Sequence, residues 1–452
     1  MSGLSTAHSV ALAALLARCS EAMLKSVSTT VSGLPGEKAN DLRRMLAEEM
    51  TDRRRRAVAF APILPMFAER ADGIPATTFP PDVLARLWKA ASGREPQLLP
   101  RLDEDEGGEI IVANRICQAA ASIVRDRPDL VWPEASRPDI RDKGLEDLVI
   151  SLDLAHLARR ALPLIDVWLK RPDGDQLAEL RLMVKDGSGI HADGAWRLVE
   201  ILFAHLADAV LVLRILTRTS GAADRIGFLS VSEMGEFVER LLNGVSQRVE
   251  RLTAWATAGG KDDIAPVMAD LDWCANVLAE LDVTLTLEPD SPWGMSVRES
   301  RLAVAAWMTT LYRKADKAVD AALPMTRVQT SGRMTRQVPD LSAPARGEAA
   351  ETAFALMKLV GVTRGAASTF GAEAGRKALM DELVERLTSY ADQILGVIND
   401  EATDRNHALA LIAVAARYLE LIEAKEAAKT VRRRAAVAGG SAVTAGASSA
   451  AA

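Results

Sequence analysis

Cysteine is scarce in this sequence. The 452 residues contain three cysteines, Cys19, Cys117 and Cys274, and no two of them are close together in the chain. This spacing excludes a CxxC metal site and a disulfide framework, which need more thiols or closer ones. A chain with so few cysteines is typical of a reducing compartment, so we expect a cytoplasmic protein.

Aromatic residues and uninterrupted apolar segments are also scarce. Aromatics make up 4% of the chain, which argues against a β-sandwich or barrel because strands draw on Tyr and Phe. The most apolar stretch, residues 195–217, is interrupted by Arg197, Glu200 and Arg214. Charges near the centre of a bilayer are costly, so we expect no transmembrane segment. We predict instead a deeply buried helix over residues 193–219.

The charge balance is mildly acidic. The formal net charge is −6, with 49% hydrophobic and 26% charged residues, as in soluble globular proteins. Nothing in this balance would attract the chain to nucleic acid, so a nucleic-acid binder is disfavoured. The cations are mainly arginines, a bias typical of GC-rich genomes, from which we expect a bacterial origin.

Helical periodicity recurs almost everywhere, and the alternation typical of strands almost nowhere. The sequence therefore predicts an all-α protein built from multi-helix bundles. Near the C-terminus, two apolar seams follow the 3-4 spacing of coiled coils and antiparallel helix pairs, and we expect a helical hairpin or three-helix unit there. The seams are Met380, Leu383, Leu387, Tyr390, Ile394 and Val397, and then Leu411, Ala415, Tyr418 and Ile422.

Two S-x-x-E capping boxes predict helix starts within the central region. In such a box a hydroxyl and a carboxylate satisfy free backbone amides at the first turn. The boxes are formed by Ser230 with Glu233 and by Ser296 with Glu299. We therefore expect helices near 230–257 and 296–323.

Composition and breaks in periodicity predict five consecutive regions. Prolines, glycines and a loss of periodicity mark the boundaries. The regions are an N-terminal helical domain (1–138), a central helical bundle (139–325), a basic linker (326–347), a C-terminal long-helix domain (348–436) and a disordered Gly/Ala/Ser tail (437–452).

Sequence motifs of catalysis are missing. The chain has no HExxH, no phosphate-binding GxxxxGK[ST], no GxGxxG after a strand and no GxSxG elbow. We therefore assign no catalytic, cofactor-binding or metal-binding residue and expect no cofactor. No family resemblance emerges from these residues.

Two His–Asp pairs nevertheless suit a polar site. Asp153 and His156, like His205 and Asp208, are three residues apart and share a helix face. If the two helices faced each other, these groups could bind a metal or exchange protons. The alternative is that each pair makes ordinary structural hydrogen bonds.

Three segments are strongly basic. They are Arg53–Arg56, the linker with Arg327, Arg333, Arg336 and Arg346, and the C-terminal Lys425, Lys429 and Arg432–Arg434. Each could pair with nearby carboxylates, such as Glu49 beside Arg53, or contact an anionic partner. The sequence leaves both interpretations open.

Long amphipathic seams without a recognisable site favour protein recognition, because grooves between helices accept partner segments. Our leading hypothesis is a cytoplasmic helical scaffold or regulatory adaptor that binds protein partners or associates with itself through the C-terminal helices.

Two alternatives remain open. One is an enzyme or ligand-binding protein whose pocket lies in the central bundle, lined by Asp153, His156, His205 and Asp208. The other is a peripheral membrane protein held by apolar helices and its Arg-rich C-terminal end.

Overall fold

The computed structural model describes residues 5–103, 108–133, 138–170, 173–215, 235–257, 263–285, 287–331, 334–400 and 403–448. In these ranges the chain is almost wholly helical, which confirms the all-α prediction. The described residues fold into two compact units, 5–215 and 235–448.

The first unit is a set of α-helices joined by short loops and 3₁₀ turns. Helix α5 packs against α3, α4 and α7, and α7 packs against α9 and α10. The helices are α1 Thr6–Arg18, α2 Glu21–Ser32, α3 Glu37–Phe60, α4 Pro81–Arg94, α5 Gly108–Asp126, α6 Pro128–Val131, α7 Pro138–Ala161, α8 Ile165–Leu169, α9 Gly174–Ile190 and α10 Gly194–His205.

The second unit combines α-helices with one β-hairpin. Helix α13 packs against α11, α14 and α16, while α16, α17 and α18 pack against one another. The elements are α11 Gly235–Thr257, α12 Ile264–Thr284, α13 Pro292–Ala322, β1 Met325–Ser331, β2 Met334–Pro339, α14 Glu348–Val362, α15 Arg364–Thr369, α16 Glu373–Val397, α17 Arg405–Leu421 and α18 Lys425–Ser448.

The central region predicted over 139–325 is divided between these units: α7 to α10 belong to the first and α11 to α13 to the second. Helical periodicity marks which side chains are buried, but not which helix covers them. The predicted domain boundaries concern which segments fold by themselves, and they stay a prediction.

The helix predicted over 193–219 ends early. Its first part is α10, which is deeply buried as expected, but the α-helix stops at His205. The chain then turns at Asp208, whose carboxylate accepts a hydrogen bond from the Val210 N–H at 2.9 Å. Side chains of Asp compete for backbone amides in this way and favour turns over helix interiors.

Helix α13 begins before the predicted capping box. Ser291 is its N-cap and accepts from the Gly294 N–H at 3.1 Å, and Pro292 occupies the first turn, so Ser296 lies inside the helix. Proline suits this first position because its missing N–H would have no helical partner there. The Ser230–Glu233 box lies outside the described residues.

The basic segment predicted as an irregular linker contains the hairpin of β1 and β2. The two strands pair antiparallel, with Arg327 opposite Gln337 and Val328 opposite Arg336. Thr and Val recur along both strands, and these β-branched residues favour extended backbone. Strands of seven and six residues are too short for alternation to stand out against the surrounding helical pattern.

Helix α18 extends beyond residue 437, where the Gly/Ala/Ser composition predicted a disordered tail. The helix is assigned through Ser448, and the disorder expected over 437–452 stays a prediction. Alanine has the highest helix propensity of all residues, and it is abundant in this segment. The physical lesson is that low complexity by itself does not exclude a helix.

Candidate functional site

The first His–Asp pair does not act as a pair. The Asp153 carboxylate faces His191, whose Nε2 lies 2.8 Å from Asp153 Oδ2, and it also binds Arg125. The His156 ring instead contacts a backbone carbonyl, with Nδ1 2.9 Å from Asp153 O. Both residues of the predicted pair therefore have structural partners, and His191 is a partner that the spacing did not predict.

The second pair is also separated. His205 Nε2 donates to the Pro62 carbonyl at 2.7 Å, while the Asp208 carboxylate caps the turn at Val210. Burial lowers the pKa of His205 below its ordinary value. A neutral imidazole fits this position because its N–H has a defined acceptor and no carboxylate is needed.

The described residues hold no group of three or more His, Cys, Asp or Glu that could bind a metal. Burial raises the pKa of Cys117 to about 11 and of Cys274 to about 12, which keeps both thiols protonated and unreactive near neutral pH. These side chains offer no support for a metal site or a thiol nucleophile.

The Arg53–Arg56 run stabilises the fold of the first unit. Arg53 pairs with Glu49 at 2.6 Å and donates to the carbonyls of Leu16 and Cys19, where helix α1 ends. Arg55 donates from Nε to Asp103 Oδ1 at 3.2 Å and from Nη2 to Asp103 Oδ2 at 2.6 Å. Guanidinium groups satisfy free carbonyls at a helix C-terminus well, so this run serves structure.

The C-terminal cations are partly used in the same way. Arg432 forms a two-point ion pair with Glu420 on the neighbouring helix α17, and Arg434 pairs with Asp392 on α16 at 2.6 Å. These ion pairs connect α18 to α17 and to α16. They leave less positive charge there for an external anion than the sequence suggests.

Most residues of the predicted C-terminal seams are buried, whereas Met380 is half-buried and Val397 is exposed. Leu383, Leu387 and Ile394 on α16 are buried, as are Leu411 and Tyr418 on α17. Self-association through these buried residues would require α16 and α17 to separate from their neighbouring helices. The buried part of the seams is therefore not available to a partner.

The β-hairpin is an exposed element of the second unit. Residues 326–329 on β1 and 335–337 on β2 are all exposed. The Asp340 N–H donates to the Pro324 carbonyl at 3.0 Å and closes the base of the hairpin. Strand β2 packs along α16. The hairpin is thus held at its base by the Asp340–Pro324 hydrogen bond and along β2 by its packing against α16.

The outer edge of β1 has no third strand in the described part of the chain. In an antiparallel pair, alternate N–H and C=O groups of each strand point away from its partner. An edge strand of this kind is a template for another extended segment. Natural proteins often protect such edges with charged side chains, and β1 carries Arg327.

Two hairpin arginines form no ion pair with the described residues, although Arg336 lines a groove together with Glu385 and Asp392 of α16. Within the described residues, no carboxylate lies in ion-pair distance of Arg327 or Arg336. The acid nearest to Arg336 in sequence, Asp340, accepts from both the hydroxyl and the N–H of Ser342, at 2.6 and 2.9 Å, and these bonds lower the pKa of its carboxyl. The hairpin is a basic surface on a chain whose net charge is −6.

Sequence reasoning identified the arginines but missed the hairpin. The available signal was the Ser331-Gly332 dipeptide, a turn former, between two segments that contain Thr and Val. Because Arg327 pairs with Gln337 and Arg336 with Val328, the two arginines lie on opposite faces of the sheet.

No helix in the described ranges is both long and apolar enough to span a membrane.

Comparisons with known proteins identify no relative of this chain. A scan against protein-family models, a search of curated proteins and a search of solved structures each found no match.

Proposed function

We propose that this chain is a cytoplasmic helical adaptor whose β-hairpin binds an acidic, extended segment of a partner protein. The observation that supports this function is the exposed hairpin, whose Arg327 and Arg336 form no ion pair with any described residue, on a chain of net negative charge. The scarcity of cysteine supports the reducing compartment.

Strand addition suits the outer edge of β1. Main-chain hydrogen bonds supply affinity for any extended segment, and side chains beside the strand select among sequences. The backbone of the hairpin is already ordered, because the Asp340–Pro324 hydrogen bond closes its base and β2 packs against α16. Binding to an ordered strand loses less conformational entropy than binding to a flexible one.

Charge selects the partner. Arg327 lies on the strand that would receive the segment, and Arg336 lies on the next strand and opposite face. An added strand presents side chains to both faces, so acidic residues on it can approach each arginine. A second copy of this hairpin would instead bring arginines together, and like charges across a strand pair are destabilising.

The test uses the full chain and a short fluorescein-labelled peptide of alternating Glu and Val, followed by fluorescence anisotropy. We expect saturable binding that weakens as salt rises, because exposed ion pairs are screened. The double variant Arg327→Glu/Arg336→Glu should lower affinity by about tenfold or more. Arg313→Glu is the matched control, since Arg313 is an exposed arginine on α13.

Two further peptides separate charge from strand addition. Replacing each Glu by Lys tests charge, and placing Pro at the central position removes a main-chain donor. Both changes should reduce binding. Equal binding of the Lys peptide, equal binding of the Pro peptide, or no binding of the Glu-Val peptide would contradict the proposal, as would dimerisation through the hairpin in light scattering.

A further inference from the structure

A cavity of about 160 Å³ lies in the second unit beneath the hairpin. The end of α13, both strands and helix α16 contribute to its wall. Its apolar part includes Val319, Leu323 and Leu387, and its polar part includes Arg386, Tyr390 and Gln393. Ser389 at its rim is exposed, so the cavity can be reached from the surface.

Three buried polar atoms in this wall have no hydrogen-bond partner within the described structure. They are the Tyr390 hydroxyl, Gln393 Oε1 and Arg386 Nε. Tyr390 is only 3% exposed. A buried polar atom without a partner costs about 1–3 kcal/mol, so three around one cavity are unusual in a native fold. These atoms are available to form hydrogen bonds with a small molecule that enters the cavity.

The charges around the cavity disfavour an anion. The Arg386 guanidinium is already neutralised by Asp316, at 2.5 Å, and by Asp320, at 3.3 Å. Burial, together with the negative charge of Asp340, raises the pKa of Tyr390 to about 12. The Tyr390 hydroxyl therefore stays protonated near neutral pH and can donate a hydrogen bond.

We propose that this cavity binds a small uncharged molecule that carries a carboxamide group. Its carbonyl oxygen would accept from the Tyr390 hydroxyl and from Arg386 Nε–H, and its amide N–H would donate to Gln393 Oε1. A short aliphatic part would contact Val319 and Leu387. This inference does not depend on the adaptor function.

The volume limits the ligand to a small one. Pockets for drug-sized molecules usually measure about 300–1,000 Å³. The cavity is well below that range, so it suits a molecule with only a few non-hydrogen atoms. Affinity for so small a group is expected near the millimolar range, because each atom contributes a limited free energy.

The test uses the full chain with propanamide and its anionic isostere propanoate, measured by saturation-transfer NMR. Propanamide should bind, and propanoate should bind at least about tenfold more weakly or not at all. Tyr390→Phe should weaken propanamide binding by about tenfold, since it removes one donor and keeps the ring. Gln393→Met should weaken it similarly by removing the acceptor.

Tyr418→Phe is the matched control. Tyr418 is another buried tyrosine of the same unit, but its hydroxyl donates to the Ala350 carbonyl at 2.9 Å and does not line the cavity. This variant should bind propanamide like the original chain. Circular dichroism of each variant confirms folding.

Three outcomes would overturn the proposal. They are absence of propanamide binding, propanoate binding of equal strength, and unchanged propanamide affinity in both folded Tyr390→Phe and Gln393→Met variants. If propanamide does not bind, the three polar atoms form hydrogen bonds only with ordered water.

Discussion

The buried guanidinium of Arg376 donates from Nη2 to the Gly361 carbonyl oxygen at 3.0 Å. Its Nε also donates to the Val360 carbonyl at 3.2 Å. Arg376 lies on α16, and both acceptors lie in the last turn of α14, where carbonyls have no partner within the helix. One side chain thus caps a neighbouring helix and connects two elements of the second unit.

Replacing Arg376 by Met should destabilise the second unit by about 2 kcal/mol, because the Gly361 carbonyl loses its charged donor inside the protein. Urea unfolding followed by circular dichroism measures the loss. The control Arg313→Met removes an exposed arginine of the same unit and should change stability by less than about 0.5 kcal/mol. Similar losses in both variants would show that the capping contact contributes nothing specific.

Gly361 permits a close approach between α14 and the end of α17. A β-carbon at Gly361 would overlap the Leu421 carbonyl oxygen. The Gly361→Ala change should therefore cost about 2–3 kcal/mol through overpacking. Gly365→Ala is the matched control, since its β-carbon would meet no atom within 4 Å and should stabilise helix α15 by about 0.5–1 kcal/mol. Thermal unfolding of both variants should shift in opposite directions, and a shift in the same direction would argue against the close approach.

The three cysteines should differ sharply in reactivity. Cys19 is partly exposed, whereas Cys117 and Cys274 are buried, and burial raises their pKa to about 11 and about 12. Only a thiolate reacts with a disulfide reagent, so the native chain should show one fast thiol at pH 8 and three after denaturation. The Cys19→Ser variant should lose the fast phase. Fast modification of a second thiol in the native chain would contradict the burial.

Acid should weaken the first unit through His205. Burial lowers its folded-state pKa below the ordinary 6.5, so the unfolded chain binds more protons as pH falls through that value. Stability is thus fully present above the unfolded pKa and declines as pH drops from 7.5 toward 5.5. Urea midpoints measured across this range should fall, and His205→Gln should flatten the slope.

A variant at His8, an exposed residue on α1, serves as the control for this pH dependence. His8→Gln should leave the slope of the original chain unchanged. An identical slope in the His205→Gln and original chains would show that other groups cause the acid sensitivity.

Local features were predictable where spacing alone decides them. The seam of Leu383, Leu387, Tyr390 and Ile394 predicted both a helix and its buried face, because a period of 3.6 residues brings these side chains to one side. The start of α13 was placed four residues late, since a second serine, Ser291, provides the N-cap. Several residues near a helix end can serve as caps, and spacing does not choose among them.

Partners distant in sequence were not predictable in this way. The Asp153 carboxylate could have faced His156 on its own helix, but packing brings it His191 from beyond the end of α9. The arginines at 327 and 336 were visible in the sequence, yet their place on a two-stranded sheet depends on a pairing between strands. Neither contact has a signature within one short segment.

The sequence by itself determined the all-α class and the buried face of the C-terminal helices, because these follow from the local spacing of side chains. The tertiary structure decided how the helices are grouped into two units, that Tyr390, Gln393 and Arg386 surround one cavity, and that no carboxylate of the described residues lies in ion-pair distance of Arg327 or Arg336. These properties depend on which distant segments meet, and that is settled by the packing of the whole unit.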